Sequence, residues 1–151
     1  MKRRVMAGAL AAGLTLGLAS AGAASLPPPN IAGARQLISP DETLIVLKFP
    51  AVGSKRIKGL IDGYRHPAYL VPLALGQTLT VTLTSPSANA YFNLQDAADS
   101  SGQALFNGNT GERTARLTAP AALSVVIRPF QPRASARRKE RIPFLLTVER
   151  R

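Results

Sequence analysis

The stretch QTLTVTLTS (77–85) decides the fold class. Leu79, Val81 and Leu83 alternate with threonines along the segment, which is the two-residue period of a β-strand with one buried and one solvent-facing side. Threonine is β-branched and is common on the exposed face of strands. The segment is therefore predicted to be a strand that packs one face onto a hydrophobic core.

Similar short segments, rich in Val, Leu, Ile, Thr, Tyr and Phe, lie on both sides of this strand. Turn-forming stretches that contain Gly, Pro, Asn or Ser separate them. The predicted strands are 43–49, 56–61, 68–73, 77–85, 90–94, 103–108, 112–118, 123–130 and 144–150. No segment after residue 42 has the apolar 3.6-residue period of a helix. The spacing predicts an all-β domain of about eight strands, an antiparallel β-sandwich or barrel.

The N-terminus has the layout of a bacterial secretory signal peptide. MKRR (1–4) is positively charged, VMAGALAAGLTLGL (5–18) is apolar, and Ala21-Gly22-Ala23 fits a small-residue cleavage site. The apolar run is shorter than the roughly 20 residues of a membrane-spanning helix, so an uncleaved anchor is the weaker alternative. We expect residues 1–24 to be a signal peptide that is cut after Ala23 or Ala24. The mature protein is then periplasmic or secreted, without a membrane span.

The expected mature chain has two parts. SLPPPNIAGARQLISPDE (25–42) is rich in proline and predicts an extended lead-in, because polyproline segments need no internal hydrogen bonds. Residues 43–151 are the predicted single β-sandwich domain, which is long enough to bury a core. The chain has no cysteine, so this exported domain does not rely on disulfides.

Positive charge is concentrated in one loop near the C-terminus. The chain carries a formal net charge of +11 at pH 7. QPRASARRKER (131–141), between two predicted strands, holds five basic residues and a single acid, Glu140. Such a patch favours an anionic partner and speeds the encounter with one. The simpler interpretation is a solvated hairpin whose charges keep the protein soluble.

The sequence holds no recognisable catalytic or metal-binding arrangement. His66 is the one histidine, and its neighbours support neither a Ser-His-Asp triad nor a zinc site, so we expect a structural or incidental role. Asp96 and Asp99 are three residues apart, which does not fit a calcium loop and predicts a hairpin turn. We therefore expect a binding protein, not an enzyme, with no cofactor and no metal.

Several segments taken in order point to a known family. They are GYRHPAYLVPLALGQTLTVTL (63–83), NAYFNL (89–94), ARLTAP (115–120) and QPRASARRKERIPFLLTVE (131–149). Together they resemble the periplasmic inhibitors of g-type (goose-type) lysozyme, within a wider group of exported β-sandwich proteins that includes bacterial pre-peptidase C-terminal domains. The shared features include a Gly-Tyr turn, the turn at Gly76-Gln77 and an Arg-x-x-Ala-Arg loop before the last strand.

The resemblance implies an antiparallel β-sandwich and an inhibitor that inserts an arginine loop into the active-site cleft of the lysozyme. That role falls on Arg133 and Arg137, with Arg138 as a third candidate in the same loop. Tyr64 matches the Gly-Tyr position and is implied as a partner contact. The chain departs from the family pattern after Tyr64, where RHPAY (65–69) replaces a run with Asp and Tyr, and in the extra cations of its loop.

The main alternative is an exported module that binds anionic cell-envelope polymers, which the basic loop would suit equally well. Such binding would weaken steeply with salt, whereas a loop inserted into a cleft would be less sensitive. Binding of nucleic acid is disfavoured, because none of the three tyrosines and five phenylalanines falls inside the basic loop to stack on bases.

Overall fold

The threonine-rich stretch forms the strand that its alternation predicts. In the computed structural model of the protein, which describes residues 25–151, this strand buries Leu79, Val81 and Leu83 and turns its threonines outward. All nine predicted strands are present, with ends shifted by up to three residues. They are β1 (Glu42–Val46), β2 (Gly53–Asp62), β3 (His66–Leu73), β4 (Thr78–Thr84), β5 (Tyr91–Asp96), β6 (Ala104–Asn107), β7 (Thr114–Thr118), β8 (Leu123–Phe130) and β9 (Arg141–Arg150).

The strands form a sandwich of two sheets. The first sheet has the order β1-β3-β8-β5-β6 and the second the order β2-β9-β4-β7. Alternate residues of both sheets meet in one hydrophobic core, as expected for facing sheets. Its fully buried members include Tyr69, Val71, Phe92 and Ile127 from the first sheet and Leu79, Val81, Leu146 and Val148 from the second. The predicted all-β sandwich is confirmed.

One edge of the first sheet departs from the antiparallel expectation. β1 pairs in parallel with β3, from Glu42 opposite His66 to Val46 opposite Leu70. Between these two strands the chain crosses to the second sheet as β2. A crossover of this kind lets the chain return in the same direction, whereas a tight hairpin would force the strands to be antiparallel.

The proline-rich lead-in is not extended along its whole length, so that expectation was wrong for its second half. Helix α1 (Ile31–Leu37) follows Asn30, whose side chain accepts a hydrogen bond from the N–H of Gly33 at 2.9 Å. Ala34 of this helix packs against Ala68, Leu70 and Val126 on the outer face of the first sheet. Because β3 and β8 carry apolar residues on both faces, the outer face needs such a cover.

A short helix α2 (Arg133–Arg137) lies between β8 and β9. This connection leads from the first sheet to the second, and the turn between β2 and β3 leads from the second to the first. β2 and β9 are paired so that Asp62 faces Arg141, which brings the two connections together at one end of the sandwich. Within residues 25–151, neither helix has the length to cross a membrane.

Arg150, the last residue of β9, is a buried cation. Arg150 is only 1% exposed, and its guanidinium donates hydrogen bonds to the carbonyl oxygens of Phe49, Pro50, Ala51 and Pro72 at 2.7–2.9 Å. It also lies over the ring of Phe49, 4.2 Å from the ring centroid. Burial lowers the pKa of Arg150. Arg150 thus ties the β1–β2 connection and β3 to the last strand.

Candidate functional site

The cationic loop contains one turn and a half of helix. α2 spans Arg133–Arg137, with Ser135 and Ala136 buried against the sandwich. Arg133 and Arg137 are exposed. They are four residues apart on a helix, so their Cβ atoms lie roughly 5–6 Å apart on the same face. The sequence has no apolar helical period after residue 42, so α2 was not predicted; this helix places both arginines side by side.

The C-terminal end of α2 is closed by a Schellman motif. The N–H of Lys139 donates to the carbonyl of Ala136 at 2.9 Å, and the N–H of Glu140 donates to that of Ser135 at 3.2 Å. Lys139 occupies the left-handed region, with a φ of 56°. These two bonds and the left-handed residue are what the motif requires, and they fix how the chain leaves the helix.

Two hydrogen bonds attach the loop to the β2–β3 turn, and a third joins the two ends of the loop. The side-chain amide of Gln131, only 7% exposed, donates to the carbonyls of Gly63 and Glu140 at 3.0 and 2.9 Å. The N–H of Gly63 donates to the same Glu140 carbonyl at 3.1 Å. Gln131 therefore joins both ends of the loop to the neighbouring turn. Gln131 was not predicted as a site residue, because a glutamine beside a proline has no distinctive signal.

A groove of about 270 Å³ is lined by residues of both the loop and the turn. Tyr64, 53% exposed, lies at this groove together with Arg137. The structure thus brings together the two segments that carry the predicted site residues. The other side chains that line the groove are those of Asp41, Asp62, Arg65, Ala136 and Lys139.

The cations of the loop differ in whether they have a partner. Arg138 donates two hydrogen bonds, of 3.0 and 2.6 Å, to one carboxylate oxygen of Glu140. The hydrogen bond from Arg138 lowers the pKa of Glu140. Arg141 lies 3.8 Å from a carboxylate oxygen of Asp62. Among residues 25–151, the side chains of Arg133, Arg137 and Lys139 have neither a hydrogen-bond nor an ion-pair partner.

A buried polar cluster lies on the outer face of the first sheet, next to the β2–β3 turn. Arg128 forms a bidentate pair with Glu42 at 2.7 and 2.6 Å and donates to Gln95 at 2.9 Å. Burial would raise the pKa of Glu42, but the hydrogen bonds from Arg128 and from the N–H of Ser39 outweigh it and lower the pKa. This cluster was not predicted, although an arginine in the apolar strand SVVIRPF (124–130) indicates that a partner is needed.

His66, the first residue of β3, borders this cluster. Its Nε2 atom is 3.6 Å from a carboxylate oxygen of Glu42. Burial lowers the pKa of His66, and the carbonyl of Pro67 and the charge of Glu42 oppose that shift only in part. His66 is therefore half-buried and held by contacts within the fold, as expected for a structural residue. Within residues 25–151, no group of three His, Asp or Glu side chains is placed to hold a metal ion.

The predicted aspartate turn is present. The side chain of Asp96 accepts a hydrogen bond from the N–H of Ala98, and that of Asp99 accepts one from the N–H of Ser101, both at 2.9 Å. The N–H of Asp99 also donates to the carbonyl of Asp96. These local bonds make the segment a tight connection between β5 and β6.

Comparison with known proteins gives structural relatives only. No family model and no curated protein sequence matches the chain. The solved structure of the Aeromonas hydrophila periplasmic inhibitor of g-type lysozyme matches with a TM-score of 0.64 and 32% identity. The match covers 73% of this chain and 97% of that one.

Two further inhibitors of g-type lysozyme share the fold. The Salmonella Typhimurium protein matches with a TM-score of 0.56 and 20% identity, over 72% of this chain and 98% of that one. A mutant of the Escherichia coli protein matches with a TM-score of 0.56 and 16% identity, over 73% and 98%. Given the 32% identity over nearly the whole Aeromonas protein, the chain belongs to the family of periplasmic inhibitors of g-type lysozyme.

Proposed function

We propose that this protein inhibits g-type lysozyme and that α2 is the element that enters the active-site cleft of the enzyme. The observation that carries the proposal is the pair Arg133 and Arg137. Both guanidinium groups are exposed on one side of a short helix, and neither has a partner within residues 25–151. Such a pair would match the charge of an active-site cleft that is lined with carboxylates.

The chemistry of the target explains why arginine would inhibit it. Glycosidases that cleave sugar polymers use a carboxylic acid with a raised pKa to protonate the leaving group. A guanidinium can form bidentate, charge-assisted hydrogen bonds with that carboxyl group while it fills a sugar subsite. A nearby cation also favours the ionised form, so the proton needed for catalysis is lost. Arg133 and Arg137 would thus act both as a plug and as counter-charges.

The anchoring of the loop supports insertion as a rigid element. Gln131 and Gly63 hold the two ends of the loop, and the Schellman motif sets its exit from the helix. An interaction loop that is already ordered loses less conformational entropy on binding. This arrangement favours inhibition by a preformed helix over folding of a flexible loop on the enzyme.

Tyr64 and Arg138 take different roles in this proposal. Tyr64 lies at the groove beside Arg137, and we assign it to contact with the rim of the cleft. Arg138 is already bound to Glu140, so we assign it to the support of the loop and not to the inserted pair.

We further propose that the protein works in the periplasm after removal of a signal peptide. The family relatives are periplasmic inhibitors, and residues 1–24, which lie outside the described residues, have the sequence layout of a signal. The described residues from Ser25 onward form the domain. The same relatives support a role as an inhibitor and not as an enzyme.

Titration against lysozymes tests the proposal. The protein is added to g-type, c-type and i-type enzymes digesting peptidoglycan at moderate and at high salt. The variant Arg133→Ala/Arg137→Ala is compared with Arg56→Ala/Arg116→Ala, which loses the same charge from exposed strand positions. We expect selective inhibition of the g-type enzyme, kept by the control and lost by the α2 variant. Loss of one buried charge partner typically costs roughly 2–5 kcal/mol, or about thirtyfold or more in affinity.

Two results would overturn it. One is an absence of g-type inhibition by the unaltered protein. The other is equal inhibition by the α2 variant and the control. If the protein instead binds anionic envelope polymers, and this binding disappears at high salt, the envelope-polymer hypothesis is favoured, because that hypothesis depends on net charge alone.

A further inference from the structure

Lys139 has an unusual backbone. Among residues 25–151 it is the one residue other than glycine with a positive φ, 56°. The position that follows the C-cap of a Schellman motif is usually a glycine, because a Cβ atom is strained in this region. Glycine fills comparable left-handed positions elsewhere in the protein, at Gly63, Gly76 and Gly111. A lysine at this place therefore needs a reason.

Local contacts do not supply that reason. The side chain of Lys139 is exposed and has no hydrogen-bond or ion-pair partner within residues 25–151. The two other extra cations of the loop do have partners, since Arg138 is bound to Glu140 and Arg141 lies near Asp62. Lys139 is thus a strained residue whose side chain forms no hydrogen bond or ion pair with residues 25–151.

The location of Lys139 points to a partner. Its side chain lines the same groove as Tyr64 and Arg137, two residues beyond the end of α2. Strained residues cluster at binding surfaces, where the side chain is used. A lysine is a point charge on a flexible stem, which can reach a carboxylate without the fixed geometry that the planar fork of an arginine requires.

We infer that Lys139 is a third contact with the enzyme and that it pairs with an acidic side chain on the rim of the lysozyme cleft. This inference rests on the proposed function of α2. In it, Arg133 and Arg137 enter the cleft while Lys139 and Tyr64 contact the rim. Lys139 would then help to determine which g-type lysozymes are bound, because rim residues vary more freely than catalytic ones.

Two variants of the protein remove the charge of Lys139 without adding backbone strain. Lys139→Gly removes both the charge and the strain. Lys139→Asn removes the charge and introduces a side chain that tolerates the left-handed region. Lys58→Asn is the matched control, because Lys58 is an exposed lysine on β2 outside the groove. Inhibition constants and association rates are measured with a g-type lysozyme, and thermal unfolding is measured for each variant.

We expect Lys139→Gly to unfold at the same or a higher temperature than the unaltered protein. Both Lys139 variants should inhibit about tenfold more weakly, the effect of one charge-assisted hydrogen bond, with slower association. Lys58→Asn should inhibit within about twofold of the unaltered protein, as surface substitutions usually do. If the unaltered protein inhibits and the Lys139 variants inhibit equally well, the inference is wrong while the proposed function stands. If the unaltered protein inhibits no g-type lysozyme, the proposed function fails and the inference fails with it.

Discussion

The carbonyl oxygen of Glu140 accepts a hydrogen bond from the backbone N–H of Gly63, 3.1 Å away. This bond joins the end of the arginine loop to the turn that carries Tyr64. The two residues are far apart in sequence, yet the pairing of Asp62 with Arg141 leaves their segments side by side. The two halves of the proposed binding surface are therefore joined directly through the backbone.

Gln131 should influence inhibition although it is buried. In Gln131→Ala, the carbonyls of Gly63 and Glu140 lose a donor, and we expect the free energy of unfolding to fall by roughly 1–3 kcal/mol. Inhibition should weaken as well, because the loop is less well ordered before binding. Urea unfolding and lysozyme titration measure the two effects. Gln103→Ala, at an exposed glutamine, is the control, and an equal response of both variants would contradict the anchoring role.

The shape of the guanidinium at position 137 should matter as well as its charge. Arg137→Lys keeps the charge but cannot form a bidentate pair with a carboxylate. We expect its inhibition constant to lie between that of the unaltered protein and that of Arg137→Ala, which should be about thirtyfold weaker or more. Arg116→Lys provides the matched control on an exposed strand. If Arg137→Lys inhibits as strongly as the unaltered protein, the charge at position 137 alone is sufficient for inhibition.

Acid should weaken the fold through Glu42. The pKa of its carboxyl group is lowered in the folded protein from the unfolded value of 4.5, so the ionised group stabilises the fold above that pH. This contribution is lost as the pH falls from 4.5 through the lower folded-state pKa. Glu42→Gln should be less stable at pH 7 by roughly 3 kcal/mol, because Arg128 loses a buried partner.

The stability of Glu42→Gln should also depend less on pH below 4.5. Urea unfolding from pH 7 to pH 3 measures this slope. Glu140, whose pKa is lowered by Arg138, leaves a dependence of the same sign in the variant. The control is Glu112→Gln at an exposed position, which should keep the slope of the unaltered protein. An unchanged slope in Glu42→Gln would exclude the carboxylate as its source.

Lysine should not replace Arg150. A guanidinium reaches four carbonyl groups here, and an ammonium has only three donors on a stem of different length. We expect Arg150→Lys to lower the free energy of unfolding by about 2–3 kcal/mol. Arg151→Lys changes the neighbouring, exposed arginine and should stay within about 0.5 kcal/mol of the unaltered protein. Equal stabilities of the two variants in urea would contradict the account of Arg150.

The strands could be predicted from the sequence because their signal is local. The alternation of Leu79, Val81 and Leu83 with threonines requires only neighbours in the chain, and so do the Gly- and Pro-containing turns. The predicted strand boundaries were less accurate where pairing with a neighbouring strand extends a strand beyond its local sequence signal. β2 and β9 each begin three residues earlier than predicted, since they pair with each other along their whole length.

Features that depend on distant contacts could not be predicted. α1 has only seven residues among prolines, and it forms because the outer face of β3 and β8 needs an apolar cover. The bonds of Gln131 to Gly63 join positions 68 residues apart. The left-handed Lys139 runs against residue preference, so no pattern would assign it.

The attachment of the loop through Gln131, Gly63 and Glu140 has a consequence for how such a protein could be redesigned. The side chains of Tyr64, Arg133, Arg137 and Lys139 contribute no hydrogen bond to the rest of residues 25–151, so the residues proposed for recognition are not those that stabilise the fold. New side chains at these four positions should therefore leave the domain folded. The end of the sandwich that carries α2 is therefore a scaffold for libraries of binders, in which the exposed side chains are varied to bind other targets and Gln131, Gly63 and Glu140 are kept.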